Sequence, residues 1–174
     1  MAASKVMNFS RGGVWEGSCI FLTWMGPPLT NPRANRASIT LDSVLSSVEV
    51  IEEMAERFAR DAGFDEDVAS QIAMVSREAS VNAIMHGNKY DPAKHIKASF
   101  EVTDDALNIV ISDEGAGVDL DAIPDPLAPE NILRTSGRGI FLMRAIMDEV
   151  HFQVLTPGTE IKMVKHIDQK EIYP

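Results

Sequence analysis

The chain has 174 residues, with 26 acidic against 16 basic side chains, a formal net charge of −10 and a single cysteine. That length suits one domain with a sizeable core, and the acidic balance argues against nucleic-acid binding, which needs clustered positive charge, and suits a basic protein surface instead. Cys19 alone leaves no internal disulfide framework and fits a reducing compartment. No apolar run reaches the roughly 20 residues of a spanning helix. The stretch from Cys19 to Met25 is too short and lacks the flanks of a signal peptide. A cytoplasmic location, with no membrane contact and no direct nucleic-acid partner, is expected.

Residues 1–37 carry Gly12-Gly13, Gly26-Pro27-Pro28 and Asn31-Pro32 with no hydrophobic period. They read as a poorly structured leader to which no function is assigned, with Met7 or Met25 as alternative starts. Ser38-Ile39-Thr40-Leu41 alternates as a short strand. Asp42 or Ser43 is placed to cap a helix running to about Ala62, with Val44, Val48, Ile51, Met54, Ala55 and Phe58 on its core face and Gly63 as its stop. Asp65 then caps a second helix, in which Val68, Ile72, Val75 and Ala79 recur at helical spacing. Glu78, Asn82 and His86 climb the edge of that apolar stripe one turn at a time, and Gly87 ends the helix. A carboxylate, an amide and an imidazole along such an edge suggest the wall of a cleft. Taken alone, the same stretch also reads as a solvated Glu78, a tolerated polar Asn82 and a capping His86.

After a polar connection at 88–94, Lys97 to Val102 and Leu107 to Ser112 form a hairpin about Thr103-Asp104-Asp105-Ala106. Residues 113–138 are rich in Gly, Pro and Asp and too long for a routine loop, as functional lids are. Gly139 to Met147 is a helix, and His151 to Leu155 with Glu160 to Lys165 closes the chain as a hairpin around Pro157-Gly158. These elements predict an α+β two-layer sandwich: one mixed, mainly antiparallel sheet with helices on one face. The domain is expected over 38–168, with a tail at 169–174 and no internal repeats.

Two further motifs carry chemistry. Asp113-Glu114-Gly115-Ala116-Gly117 follows a strand directly, where an aspartate can accept from an exocyclic amine and glycines let backbone approach a planar ligand. Ser136-Gly137-Arg138-Gly139 opens a helix, whose free N–H groups and positive dipole end bind phosphate. Each has a plainer account, as a strand-ending turn and as a flexible cap. No P-loop, dinucleotide fingerprint, protein-kinase motif set, zinc spacing or nucleophile elbow is present.

The order of the three motifs is more specific than any one of them. A helix with Glu78-x3-Asn82, a strand ending in Asp113-x-Gly115-x-Gly117, a long loop and Gly137-x-Gly139 at a helix start resembles the GHKL ATP-binding family of gyrase B, Hsp90, histidine kinases and MutL. The compact form without a dimerisation helix pair is similar to the bacterial anti-sigma factor serine/threonine kinases of the SpoIIAB and RsbW type. The resemblance covers residues 38–167.

It implies that Asp113 holds the adenine amine with Gly117 giving the ring room, and that Asn82 ligates Mg²⁺. Gly137, Arg138 and Gly139 would offer N–H groups to the phosphates of ATP, while Arg134 or Arg138 neutralises γ-phosphate charge. Gly115, Val118, Thr135, Ser136 and Ile140 would complete the nucleotide contacts. Glu78 would be the general base toward a serine or threonine hydroxyl on a STAS-domain anti-anti-sigma protein. His86 shapes the helix end, Arg77 lies on the surface, and Asn88 or Lys89 reaches nucleotide at the mouth of the site. The implied function is a homodimeric kinase that sequesters a sigma factor and phosphorylates its antagonist. A nucleotide-gated partner-switching protein with little or no transfer activity is the alternative, and an orphan catalytic domain of a histidine kinase, served by a separate histidine protein, is a third reading.

Overall fold

The computed structural model describes residues 21–22, 35–117 and 138–167. In chain order these form β1 (Phe21–Leu22), β2 (Asn35–Asp42), α1 (Ser46–Asp61), α2 (Glu66–Asn82), a π-helical turn (Ala83–Gly87), β3 (His95–Val102), β4 (Ala106–Ser112), α3 (Arg138–Ile146), β5 (Glu149–Val154) and β6 (Thr159–His166). The strands lie in one sheet in the order β1-β2-β3-β4-β6-β5, antiparallel at every described pairing. This is the expected α+β sandwich.

Strand register follows from the period of two, since a slip of one residue would turn the apolar set to water. Leu41 opposes Ile96, Ile39 opposes Ala98, Ala98 opposes Ile111, and Phe100 opposes Ile109. Ile109 and Ile111 in turn oppose Met163 and Ile161. All of these are buried, while Lys97, Glu101 and Lys162 on the alternate positions are exposed. Helices α1 and α2 cover the apolar face with Ile51, Ala55, Ile72, Val75 and Ala79, and the rings of Phe58 and Phe100 stack with centroids 5.2 Å apart. Burial of each large apolar side chain of this kind contributes about 1.5–3 kcal/mol.

Several boundaries differ from the sequence reading. Strand β2 begins at Asn35 rather than Ser38, and Phe21 and Leu22, within the segment read as a leader, pair with Thr40 and Ile39. Helix α1 is not capped by Asp42 or Ser43. Asp42 is still paired with His95, the Ser43 N–H donates to the Lys94 carbonyl, and the helix starts only at Ser46, so Val44, expected on its core face, precedes it and is exposed. Asp65 does cap α2, accepting from the Val68 N–H at 2.8 Å. The β3–β4 turn closes through Thr103, whose N–H donates to the Ala106 carbonyl. No helix among the described residues is long and apolar enough to cross a membrane.

Candidate functional site

Glu78 and Asn82 stand half-buried on α2, beside the buried Val75 and Ala79. The first turn of α3 runs across them. A β-carbon added to Gly139 would lie 3.1 Å from Glu78 Oε2 and 3.4 Å from Asn82 Nδ2. The wall helix and the helix start, separate motifs in the sequence, are thus one place in the fold. The first-turn N–H groups and positive dipole end of α3 stand beside a carboxylate and an amide, a donor set suited to an anion and a hard cation together.

His86 does not continue the row. After Asn82 the helix widens into a π turn, in which the Asn88 N–H donates to the Ala83 carbonyl, and the added residue breaks the 3.6 period. His86 is exposed where Glu78 and Asn82 are half-buried. Gly87 also differs from its expected role, for it is not a left-handed cap; the residues that follow with positive φ are Lys89 at 55° and Tyr90 at 58°. Gly87 lacks a side chain because the Asp113 carboxylate packs over it, and a β-carbon there would come within 2.3 Å of Asp113 Cγ.

Asp113 is the floor of the site, 7% exposed. Its N–H donates to the Thr159 carbonyl at 3.0 Å, and its Oδ1 accepts the Gly115 N–H at 2.8 Å. A β-carbon on Gly115 would meet the Gly87 carbonyl oxygen at 2.2 Å, so Gly115 serves the approach of two backbones. Desolvation by burial raises the Asp113 carboxyl above its ordinary range, against the opposing pull of the Gly115 and Thr159 backbones and the Lys94 charge. Gly115 and Thr159 thus both hold the carboxylate through their backbones. Next to it in the fold, Thr159 Oγ1 is buried with no partner among those residues. A desolvated carboxylate, whose oxygens have capacity for more than one donor each, beside an orphaned hydroxyl, fits a planar ligand that presents an amine.

Gly117 has φ +84° and faces Val154, and Ile140 is half-buried in the first turn of α3. Arg138 begins α3. Val118, Arg134, Thr135, Ser136 and Gly137 lie outside the described residues. Arg77 is a surface residue, as expected, with its Nη1 3.0 Å from Glu52 Oε2. Asn88 cannot reach a ligand at the mouth, because it is fully buried with both ends of its amide bonded to the protein; Lys89 is exposed. Sequence reasoning missed Asn88 as a buried bridge and Gly158-Thr159 as part of the floor. The pairing of the closing strand with the strand ending at Asp113 was the available signal for the second; the first left none.

Residues 41–165 match the family model of the histidine kinase-like ATPase domain. The chain is 37% identical over 118 residues to the serine-protein kinase RsbW of Staphylococcus epidermidis, covering 64% of this chain and 72% of that relative. Against RsbW of Staphylococcus aureus the identity is 34% over 122 residues, covering 66% and 76%. Against RsbW of Bacillus licheniformis it is 28% over 120 residues, covering 66% and 74%.

Proposed function

The chain belongs to the histidine kinase-like ATPase family, and on that premise we propose that it is an ATP-dependent serine/threonine protein kinase and anti-sigma factor, as relatives named serine-protein kinase RsbW suggest. It sequesters a sigma factor and phosphorylates a STAS-domain antagonist, working as a homodimer. The observation that carries the reading is the packing of Gly139, in the first turn of α3, against Glu78 and Asn82. It supports the reading because a carboxylate and a side-chain amide stand at the start of a helix, where a base, a metal ligand and phosphate would have to meet.

In this reading Asp113 accepts from the adenine amine and Thr159 Oγ1 completes the base edge. The N–H groups of Arg138 and Gly139 take the phosphates, with Gly137 beside them and Arg134 or Arg138 countering γ-phosphate charge. Asn82 would hold Mg²⁺ through its amide oxygen; when bound, the ion screens phosphate charge and orients the γ-group. Glu78 accepts the proton of the attacking serine or threonine hydroxyl. That oxygen bonds to the γ-phosphorus as the bond from phosphorus to the bridging oxygen breaks, and ADP leaves. Positioning and electrostatics supply most of the acceleration in such transfers, so few protein groups suffice.

The test mixes the protein, Mg²⁺ and γ-labelled ATP with STAS-domain proteins encoded in the same genome. Label on a serine or threonine of one of them, lost with Glu78→Ala, supports the reading and names the partner. ATP binding without transfer to any of them would replace it with a nucleotide-gated binding protein.

A further inference from the structure

Asn88 is fully buried and bridges two segments remote from its own. Its Nδ2 donates to the His95 carbonyl at 2.9 Å, and its Oδ1 accepts the Glu114 N–H at 2.8 Å. Glu114 ties the same segments from the other side. Its Oε2 accepts the His95 N–H at 3.0 Å, and its Oε1 lies 3.3 Å from Lys97 Nζ. Desolvation pushes the Glu114 carboxyl up, but the His95 N–H, Lys97 and the His95 ring together hold it below its ordinary range.

The bond to the Glu114 N–H matters because that N–H belongs to the peptide that follows Asp113. The peptide before Asp113 is held as well, by the bond from the Asp113 N–H to the Thr159 carbonyl. Both backbone torsions of Asp113 are therefore restrained, one side by Thr159 and the other by Asn88. Asn88 itself sits between a π turn and two left-handed residues, Lys89 and Tyr90. A bulky side chain adopts that conformation only where its surroundings over-determine it. The Tyr90 N–H to Ile84 carbonyl bond and the Asp91 N–H to Asn88 carbonyl bond are part of that hold.

We infer that Asn88 is a positioning residue for base recognition: buried behind the site, it fixes the Asp113–Glu114 peptide to the end of the wall helix and so aims the Asp113 carboxylate at the base. The inference rests on the nucleotide reading of the site given above. Asn88 touches no ligand and leaves the phosphate end, at Glu78, Asn82 and Gly139, alone. Its removal should cost discrimination between bases and spare the affinity common to all nucleoside triphosphates.

The test is calorimetric titration of the full chain with Mg-ATP and Mg-GTP, for wild type, Asn88→Ala and Asn88→Asp. Wild type should prefer ATP. Asn88→Ala should weaken ATP by roughly tenfold or more, the scale of a lost buried hydrogen-bonded contact, with GTP little changed. Asn88→Asp keeps an acceptor for the Glu114 N–H but, when ionised, no donor for the His95 carbonyl, and should retain more of the preference than Asn88→Ala. A merely structural role would lower both nucleotides alike. A folded Asn88→Ala that keeps the wild-type ATP-to-GTP ratio overturns the inference and leaves the nucleotide reading standing. A wild type with no preference for ATP removes that reading, and the inference with it. Should neither variant fold, amide exchange on wild type decides. The Glu114 N–H should be protected before any nucleotide is added, and exchange at the rate of an open loop would refute a preset Asp113.

Discussion

Gly158 and Asp113 meet backbone to backbone: a β-carbon on Gly158 would lie 1.9 Å from the Asp113 carbonyl oxygen, and Gly158 has φ +109°. The turn between β5 and β6 thus props the chain at the point where β4 ends and the site floor begins. Gly158→Ala meets both a left-handed penalty of about 1–2 kcal/mol and a clash that only a shift of Asp113 relieves. It should lower the unfolding temperature and weaken ATP binding together. Thermal unfolding and calorimetry check this, and a variant matching wild type in both would show that the turn yields without moving Asp113.

Asp113→Asn separates stability from binding. Burial holds the Asp113 carboxyl above its ordinary range in the fold. A group whose folded value is raised contributes stability that is present below its unfolded value and lost as pH rises through the folded value. The ionised carboxylate therefore works against the nucleotide-free fold at neutral pH. The substituted amide would be neutral at every pH, and its oxygen could still accept from the Gly115 N–H. The variant should be more stable than wild type near neutrality, and the difference should fade on acidification toward about pH 4. Glu114 and Asp148, held below their ordinary range, oppose this trend in both proteins and cancel in the difference. ATP affinity should fall by roughly tenfold or more, as loss of a charged hydrogen-bond partner does. Urea unfolding at several pH values, paired with calorimetry, reads both effects.

The sheet is legible because a strand writes its buried face into its own residues. Ile96, Ala98, Phe100 and Val102 alternate with polar neighbours, and Ile109 and Ile111 repeat the pattern across the ladder. The three site motifs are legible as residue types in order. Their packing is not, since Gly87 against Asp113 and Gly158 against Asp113 are contacts between distant segments, and a glycine needed for closeness looks like a glycine needed for a turn. Gly87 reads as a cap for that reason. The π turn hides His86 in the same way, because a period of 3.6 extended past Asn82 keeps it in a row that the wider turn abandons. Asn88 stands in a polar connection, where nothing local distinguishes a buried bridge from a solvated amide.

Glu78→Gln keeps shape and removes basicity. Transfer to the protein substrate should drop by about 10²–10⁴-fold, the contribution of a positioned general base, with ATP affinity close to wild type. Single-turnover transfer of label and nucleotide titration measure the two separately. A transfer rate near wild type would remove Glu78 as the base.

Asn82→Ala tests the metal ligand. Under the proposed role ATP binding should weaken in the presence of Mg²⁺ and change little when the ion is chelated, because the lost oxygen would serve the ion and not the adenine. Titrations with and without Mg²⁺ compare the two conditions. Equal losses in both would place Asn82 against the nucleotide itself.

Gly139→Ala probes the junction of the two helices. The added methyl would stand 3.1 Å from Glu78 Oε2 and 3.4 Å from Asn82 Nδ2, tight enough to move two side-chain ends by a few tenths of an ångström. Neither neighbour is backbone, so the fold can absorb it, and alanine favours a helix over glycine by up to about 1 kcal/mol. Stability should therefore stay level or rise. Under the proposed roles transfer should fall all the same, since a Glu78 base and an Asn82 metal ligand displaced by that much would lose their alignment with the reacting hydroxyl, and misplacement on the ångström scale can reduce a rate by about 10²-fold. Thermal unfolding and the labelled-ATP transfer assay should therefore part company, the first holding and the second falling. A fall in both would mean that the junction holds the helices together more than it arranges Glu78 and Asn82.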